Sequence, residues 1–278
     1  MTEPHPTLVS SVSHEGIAVE FHLDRFTKDG KPRQNPTRWY TVNGEVVPSV
    51  TQILDVLHKP ALVWWGMQIG VQGCLVLMER GYEFDDDNTA EDVVKLLTEH
   101  KLTVNHIRDQ AATRGQSVHS ALEAFARERT IPSLIAFPEE DRGYVMALAR
   151  WLLDVKPEFL ATEVMVGSAE HGYAGRYDLR VRLRYGREGI VDLKTSKKVW
   201  HQSQMPQLAA YEEAAVECGG EPTDFQAVLR LDKDGSYELE ESCATIEDFI
   251  AVKAAFDSQR DLNERVKSLR KDRRKVAA

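Results

Sequence analysis

Apolar residues along this chain recur in two rhythms, and most of the sequence divides between them. Alternating or short apolar runs bounded by turn residues predict strands over 39–42, 45–47, 159–166, 175–182, 189–194, 225–231 and 237–242. Asn43-Gly44 and Asp234-Gly235 are dipeptides that close tight hairpins. Helical spacing covers 61–80, 103–127, 139–154 and 202–217. It returns after Thr245, where Phe249, Val252, Phe256, Leu262, Val266 and Leu269 share a face. Pro48-Ser49 opens a short helix, and Thr89 caps another with Asp92 at its third position. Strands interleaved with helices predict an α/β fold with a central mixed sheet, flanking helices and a helical N-terminal portion.

Chemistry concentrates in the strand 189–194. Residues two apart in a strand project to one side, so Asp192 and Lys194 point together while Val191 and Leu193 face the other way. Asp178 lies on the preceding strand, and Gly186 and Gly189 stand near the turn that joins the two. A hairpin there brings two carboxylates and an amine to one place, which suits metal-assisted hydrolysis of a phosphodiester. The chain holds its own controls. Asp29-Gly30-Lys31 sits in a polar turn, while Asp154-Val155-Lys156 and Glu99-His100-Lys101 end helices, so none of the three fixes its side chains on one face. His119 and Glu123 share a helical face at i, i+4, as do Gln207 and Tyr211.

Composition narrows the class. A chain of 278 residues can bury a sizeable core. No apolar run reads as long enough to span a bilayer, and residues 1–6 lack a signal peptide's charge and apolar stretch, so no membrane role and a cytoplasmic location are expected. Cys74, Cys218 and Cys243 are widely spaced and read as free thiols. A formal net charge of −9 argues against indiscriminate binding of polyanions but leaves room for a local basic groove. Arg108, Arg114, Lys197, Lys198 and His201 are the groove candidates, against a plain reading as solvated surface.

His119 on an early helix, Gly175-Arg176-Tyr177-Asp178, Asp192-Leu193-Lys194 and Gln207-Leu208-Ala209-Ala210-Tyr211, in that order, resemble the RecB-type nucleases of the PD-(D/E)XK superfamily. The likeness is to compact phage, CRISPR-associated and mitochondrial genome-maintenance exonucleases, and it covers roughly a third of the chain, from Arg114 to Tyr211. Val47-Pro48-Ser49-Val50-Thr51-Gln52-Ile53-Leu54 resembles a segment near the start of the same enzymes. Tyr177 replaces the proline that names the superfamily. The resemblance implies a restriction-endonuclease-like core over 103–278 with a C-terminal helix, after an N-terminal hairpin and helical region over 1–102.

The resemblance also implies a metal-dependent DNA exonuclease of recombination, repair or replication, acting from ends of single-stranded DNA. A phage-encoded protein working inside a bacterial host fits it. Asp178 and Asp192 would hold Mg²⁺ or Mn²⁺, with His119 and the backbone carbonyl of Leu193 as further ligands. Lys194 would orient the attacking water, and Gln207 and Tyr211 would orient Lys194 and the DNA backbone. Some relatives carry an iron–sulfur cluster on four cysteines; with three dispersed ones, none is expected here. Two alternatives stand beside this reading: a structure-specific endonuclease on the same fold, and an inert nucleic-acid-binding protein.

Each remaining candidate has a plainer reading. Glu163 reads as a further acid of the site or an exposed strand-end glutamate, and Glu123 as solvated surface. Tyr211 reads as a site residue or as core with its hydroxyl reaching the edge. Trp64 and Trp65 can stack on bases, with core packing the favoured reading. Asp85-Asp86-Asp87 reads as a solvated loop, and the basic end from Arg270 to Lys275 as a frayed tail. The helices between 61 and 127, with Trp64, Trp65 and Arg114, are expected to cover the site and restrict entry to a free strand end.

Overall fold

The computed structural model describes residues 7–276 apart from 15, 28–30, 86 and 132. The Asp29-Gly30 turn, Asp86 and the first six residues therefore lie outside the described residues. The chain begins with four strands, β1 (Thr7–His14), β2 (Ile17–Phe26), β3 (Pro32–Val42) and β4 (Glu45–Val47), which form an antiparallel meander in that order. Asn43 and Gly44 join the last two with φ of 52° and 83°, the paired positive values a tight hairpin turn needs. The N-terminal portion is thus a four-stranded sheet before its helices, where the sequence reading had only the hairpin.

Three helices follow: α1 (Val50–Leu54), α2 (Pro60–Glu79) and α3 (Ala90–Glu99). Capping boxes start two of them, Ser49 with Gln52 and Thr89 with Asp92. α4 (Val104–Glu128), capped by Thr103, and α5 (Arg142–Val155) lead into the second sheet. That sheet runs β5 (Glu158–Ser168), β6 (Tyr173–Arg182), β7 (Glu188–Lys194), β8 (Phe225–Leu231) and β9 (Tyr237–Glu241). Every pair is antiparallel except β7 and β8, which α6 (His201–Glu217) connects as a crossover. α7 (Ile246–Val276) closes the chain. The mixed α/β architecture with a central mixed sheet is therefore present.

Strand alternation sorts the core onto both faces of this sheet. Val191, Leu193, Ala227 and Leu229 pack with Val118 and Leu122 of α4 and Leu148 and Trp151 of α5. Ile190 and Val228 face the other way, toward Leu208 and Ala214 of α6 and Phe249 of α7. Val19, Val42, Val50 and Ile53 join that second cluster, so residues on both sides of position 102 share one core. The backbone N–H of Ala174 donates to Pro48 O at 3.1 Å, which pins the entry of α1 against β6.

α2 departs from two expectations. No charged residue occurs between Pro60 and Met78, and this helix is long and apolar enough, by length and composition alone, to cross a membrane. Gln68 and Gln72 interrupt its apolar run. Core packing of its tryptophans also fails for Trp64, which is 63% exposed, because α2 meets little beyond α3 and α4.

Candidate metal centre

The site forms where β6 and β7 part. Their ladder ends at Leu179 opposite Val191, which leaves Asp178 and Asp192 as the next pair, with Asp192 bonded onward only into β8. The Leu193 N–H, freed from the ladder, donates to Asp178 Oδ2 at 2.6 Å. On the far side of β6, Thr162 pairs with Leu179 and Val164 with Tyr177, so Glu163 sits beside Asp178. Three neighbouring strands therefore present Glu163, Asp178 and Asp192 in a row.

Glu163 adopts a left-handed backbone with φ of 51°, a conformation that costs a non-glycine residue about 1 kcal/mol or more. Its carboxylate is anchored on two sides. Oε1 lies 3.1 Å from His119 Nδ1, and Oε2 lies 3.6 Å from Arg176 Nη1. His119 reaches down from α4 and also stands 3.6 Å from Asp178 Oδ1. Asp192 is buried; Gln207 Nε2 donates to its Oδ1 at 3.2 Å, and the Lys194 ammonium forms an ion pair with its Oδ2. Gln207 also donates to Tyr211 Oη at 3.0 Å.

Electrostatics follow from this crowding. Burial, then the neighbouring Asp192, push the Asp178 carboxyl up to about 7. Burial opposes charge on His119, yet the Glu163 hydrogen bond and the carboxylates around it prevail and raise its pKa. For Glu163, burial is outweighed by His119 and Arg176, and the carboxyl falls below its usual range. Lys194 is likewise penalised by burial but held charged by Asp192 and Asp178. The Tyr211 hydroxyl is raised well above its ordinary value by burial.

His119, Glu163 and Asp178 each offer a ligand atom, all within 4.8 Å of one another. Imidazole with carboxylates suits a divalent cation such as Mg²⁺ or Mn²⁺. An Asp178 carboxyl pushed up by burial and by the neighbouring Asp192 marks a place where a cation would be stabilised. The donor set fits the ion.

Several residues stand where the sequence placed them, and others do not. His119, Asp178, Asp192, Lys194, Gln207 and Tyr211 converge, but Gln207 bonds Asp192 and not Lys194. Leu193 supplies its N–H to Asp178. Glu163 belongs to the cluster, the first of its two readings from the sequence, and lies within β5 and not at a strand end. Glu123 is exposed and outside it. Arg114 is held by Asp141 at 3.1 Å and stacks on Tyr144, and His201 pairs with Glu240, so both are engaged within the fold. Lys198 lies over the Trp200 ring and lines a cleft of about 660 Å³, between the starts of α2 and α6, that reaches Lys194 and Gln207. Lys197 and Arg108 are exposed.

No family model and no curated protein matches this chain. Among solved structures, an alkaline exonuclease from Laribacter hongkongensis is similar at 16% identity and a TM-score of 0.31, over 47% of this chain and 70% of that one. SSO0001 is similar at 16% identity and a TM-score of 0.29, over 51% and 71%. Likeness at this level fixes neither a fold family nor an activity.

Proposed function

We propose that this chain is a metal-dependent deoxyribonuclease with a restriction-endonuclease-like core, an exonuclease that works from the ends of single-stranded DNA. The observation that carries the reading is the row of Glu163, Asp178 and Asp192 across three strands, with His119 above it and Lys194 against Asp192. A protein that only bound DNA would gain nothing from carboxylates that repel phosphate.

His119, Glu163 and Asp178 would hold the ion, with Asp192 adjoining. A bound divalent cation lowers the pKa of water and neutralises charge on the scissile phosphate. Lys194 keeps its ammonium charged beside that position, where it orients the attacking water and stabilises the charge that builds on the phosphoryl oxygens. Gln207 holds Asp192 in place, and Tyr211 fixes the amide of Gln207.

The reading is tested by digestion of end-labelled linear single-stranded DNA and of a closed single-stranded circle, with Mn²⁺ and with EDTA. Linear DNA should shorten to small products only with the metal, and the circle should persist. Rapid cutting of the circle would replace the exonuclease by an endonuclease, and inert linear DNA would remove the activity altogether.

A further inference from the structure

A second cavity, of about 750 Å³, is lined by Tyr211 and shares Thr51 of α1 with the cleft at Lys194. The N-terminal sheet and the start of α1 together build most of its wall. Phe21, Leu23 and Arg25 line it from β2, two residues apart, and Arg38 and Tyr40 do so from β3, with Arg38 paired to Leu23 and Tyr40 to Phe21. The same alternation turns Glu20 toward Thr41 and Asp24 toward Arg33, away from the cavity. Arg176 and Tyr211 complete the floor. The lining thus holds three arginines and no carboxylate, in a chain with 44 acidic and 35 basic side chains.

Arg25 and Arg38 make no ion pair or side-chain hydrogen bond among the described residues. Arg176 is shared: its Nη1 is 3.6 Å from Glu163 Oε2, and its guanidinium sits 5.9 Å over the Phe21 ring. Phe21 and Tyr40 lie 5.0 Å apart, an aromatic surface beside unpaired cations. Tyr211 links this floor to Asp192 through Gln207. Arg176 thus joins this cavity to Glu163, and Lys194 joins the other cleft to Asp192.

We infer that this cavity is a phosphate subsite of the substrate strand: Arg25 and Arg38 take the backbone phosphate next to the scissile one, and Phe21 and Tyr40 meet the adjoining nucleotide. Arginine forks suit phosphate oxygens, and aromatic faces accept any base. The inference rests on the nuclease reading for its substrate, and it assigns the N-terminal sheet a part in holding DNA.

The test is fluorescence anisotropy of a labelled single-stranded DNA oligomer in EDTA over a range of salt, with the Arg25→Gln/Arg38→Gln double variant beside the wild type. Both side chains are exposed, so the fold should survive, and thermal unfolding checks it. The variant should bind on the order of tenfold more weakly at low salt, with the slope of log affinity against log salt reduced by about 0.7 for the one phosphate the pair neutralises. Mn²⁺ titration by calorimetry should be unchanged, and Arg127→Gln, at a distant exposed pair with Glu128, should bind DNA as the wild type does. Wild-type affinity and slope in a folded double variant overturn the subsite and leave the nuclease reading intact. If DNA binding shows the expected losses but no divalent ion supports cleavage, the nuclease reading fails and the subsite stands.

Discussion

Asp192 divides its two oxygens between an amide and an ammonium, Gln207 on one and Lys194 on the other. Replacing it by asparagine keeps the size, removes the charge that holds Lys194, and presents an NH₂ where an acceptor is needed. Asp192→Asn should therefore abolish cleavage while DNA binding persists or tightens, since a repelling charge leaves the groove. Lys194→Ala should lose about two orders of magnitude in rate, the scale of removing one group that stabilises the transition state. Single-turnover cleavage and anisotropy on the same oligomer check both, and near-wild-type cleavage by Asp192→Asn would sink the assignment. These residues were legible because a strand's period of two makes a geometric statement about Asp192 and Lys194. Glu163 was left with two readings, because its place beside Asp178 depends on how β5 registers against β6.

At the scale of elements, α6 owes its approach to β6 to one missing side chain. A Cβ on Gly175 would stand 2.5 Å from Tyr211 Cε1 and 3.3 Å from Val50 Cγ2. The Tyr211 ring is buried, so displacing it disturbs the residues packed against it. Gly175→Ala should displace that ring, loosen its bond from Gln207, and cost about 1–3 kcal/mol of stability, a fall of several degrees in melting temperature. Mn²⁺ affinity should drop with it, because Gln207 also steadies Asp192. Thermal unfolding and calorimetry decide; an unchanged melting temperature would mean that Tyr211 yields freely. Helix starts were readable because Ser49, Thr89 and Thr103 carry their own capping chemistry. β1 was not, since its residues are largely exposed and its sequence is serine-rich. β2 did carry a signal: Ile17, Val19, Phe21 and Leu23 alternate with Ala18, Glu20, His22 and Asp24, and reading it as a strand places Arg25 on the side of Phe21.

For the whole molecule, the acidic row ties folding to pH and to metal. Asp178 has an ordinary value of 3.8 and a folded value of about 7, so between those limits the folded chain holds a proton that the unfolded chain has lost. Stability from this group is full below the lower value and drains away as pH rises through the upper one. His119, also raised, acts in the same direction at the upper end of the window, whereas Glu163, lowered, acts oppositely below its ordinary 4.5. In EDTA the melting temperature should therefore fall between about pH 5 and pH 8, and Asp178→Asn should flatten that fall. A divalent cation reverses the balance, because it binds the ionised carboxylate and displaces the proton. Mn²⁺ should raise the melting temperature more at pH 8 than at pH 5, by linkage to the folded state, and its binding should release protons to buffer near neutrality. Differential scanning calorimetry across pH, with and without Mn²⁺, measures both effects. A wild-type profile parallel to that of Asp178→Asn, with equal Mn²⁺ shifts at both pH values, would show that this carboxylate neither titrates near neutrality nor meets the metal.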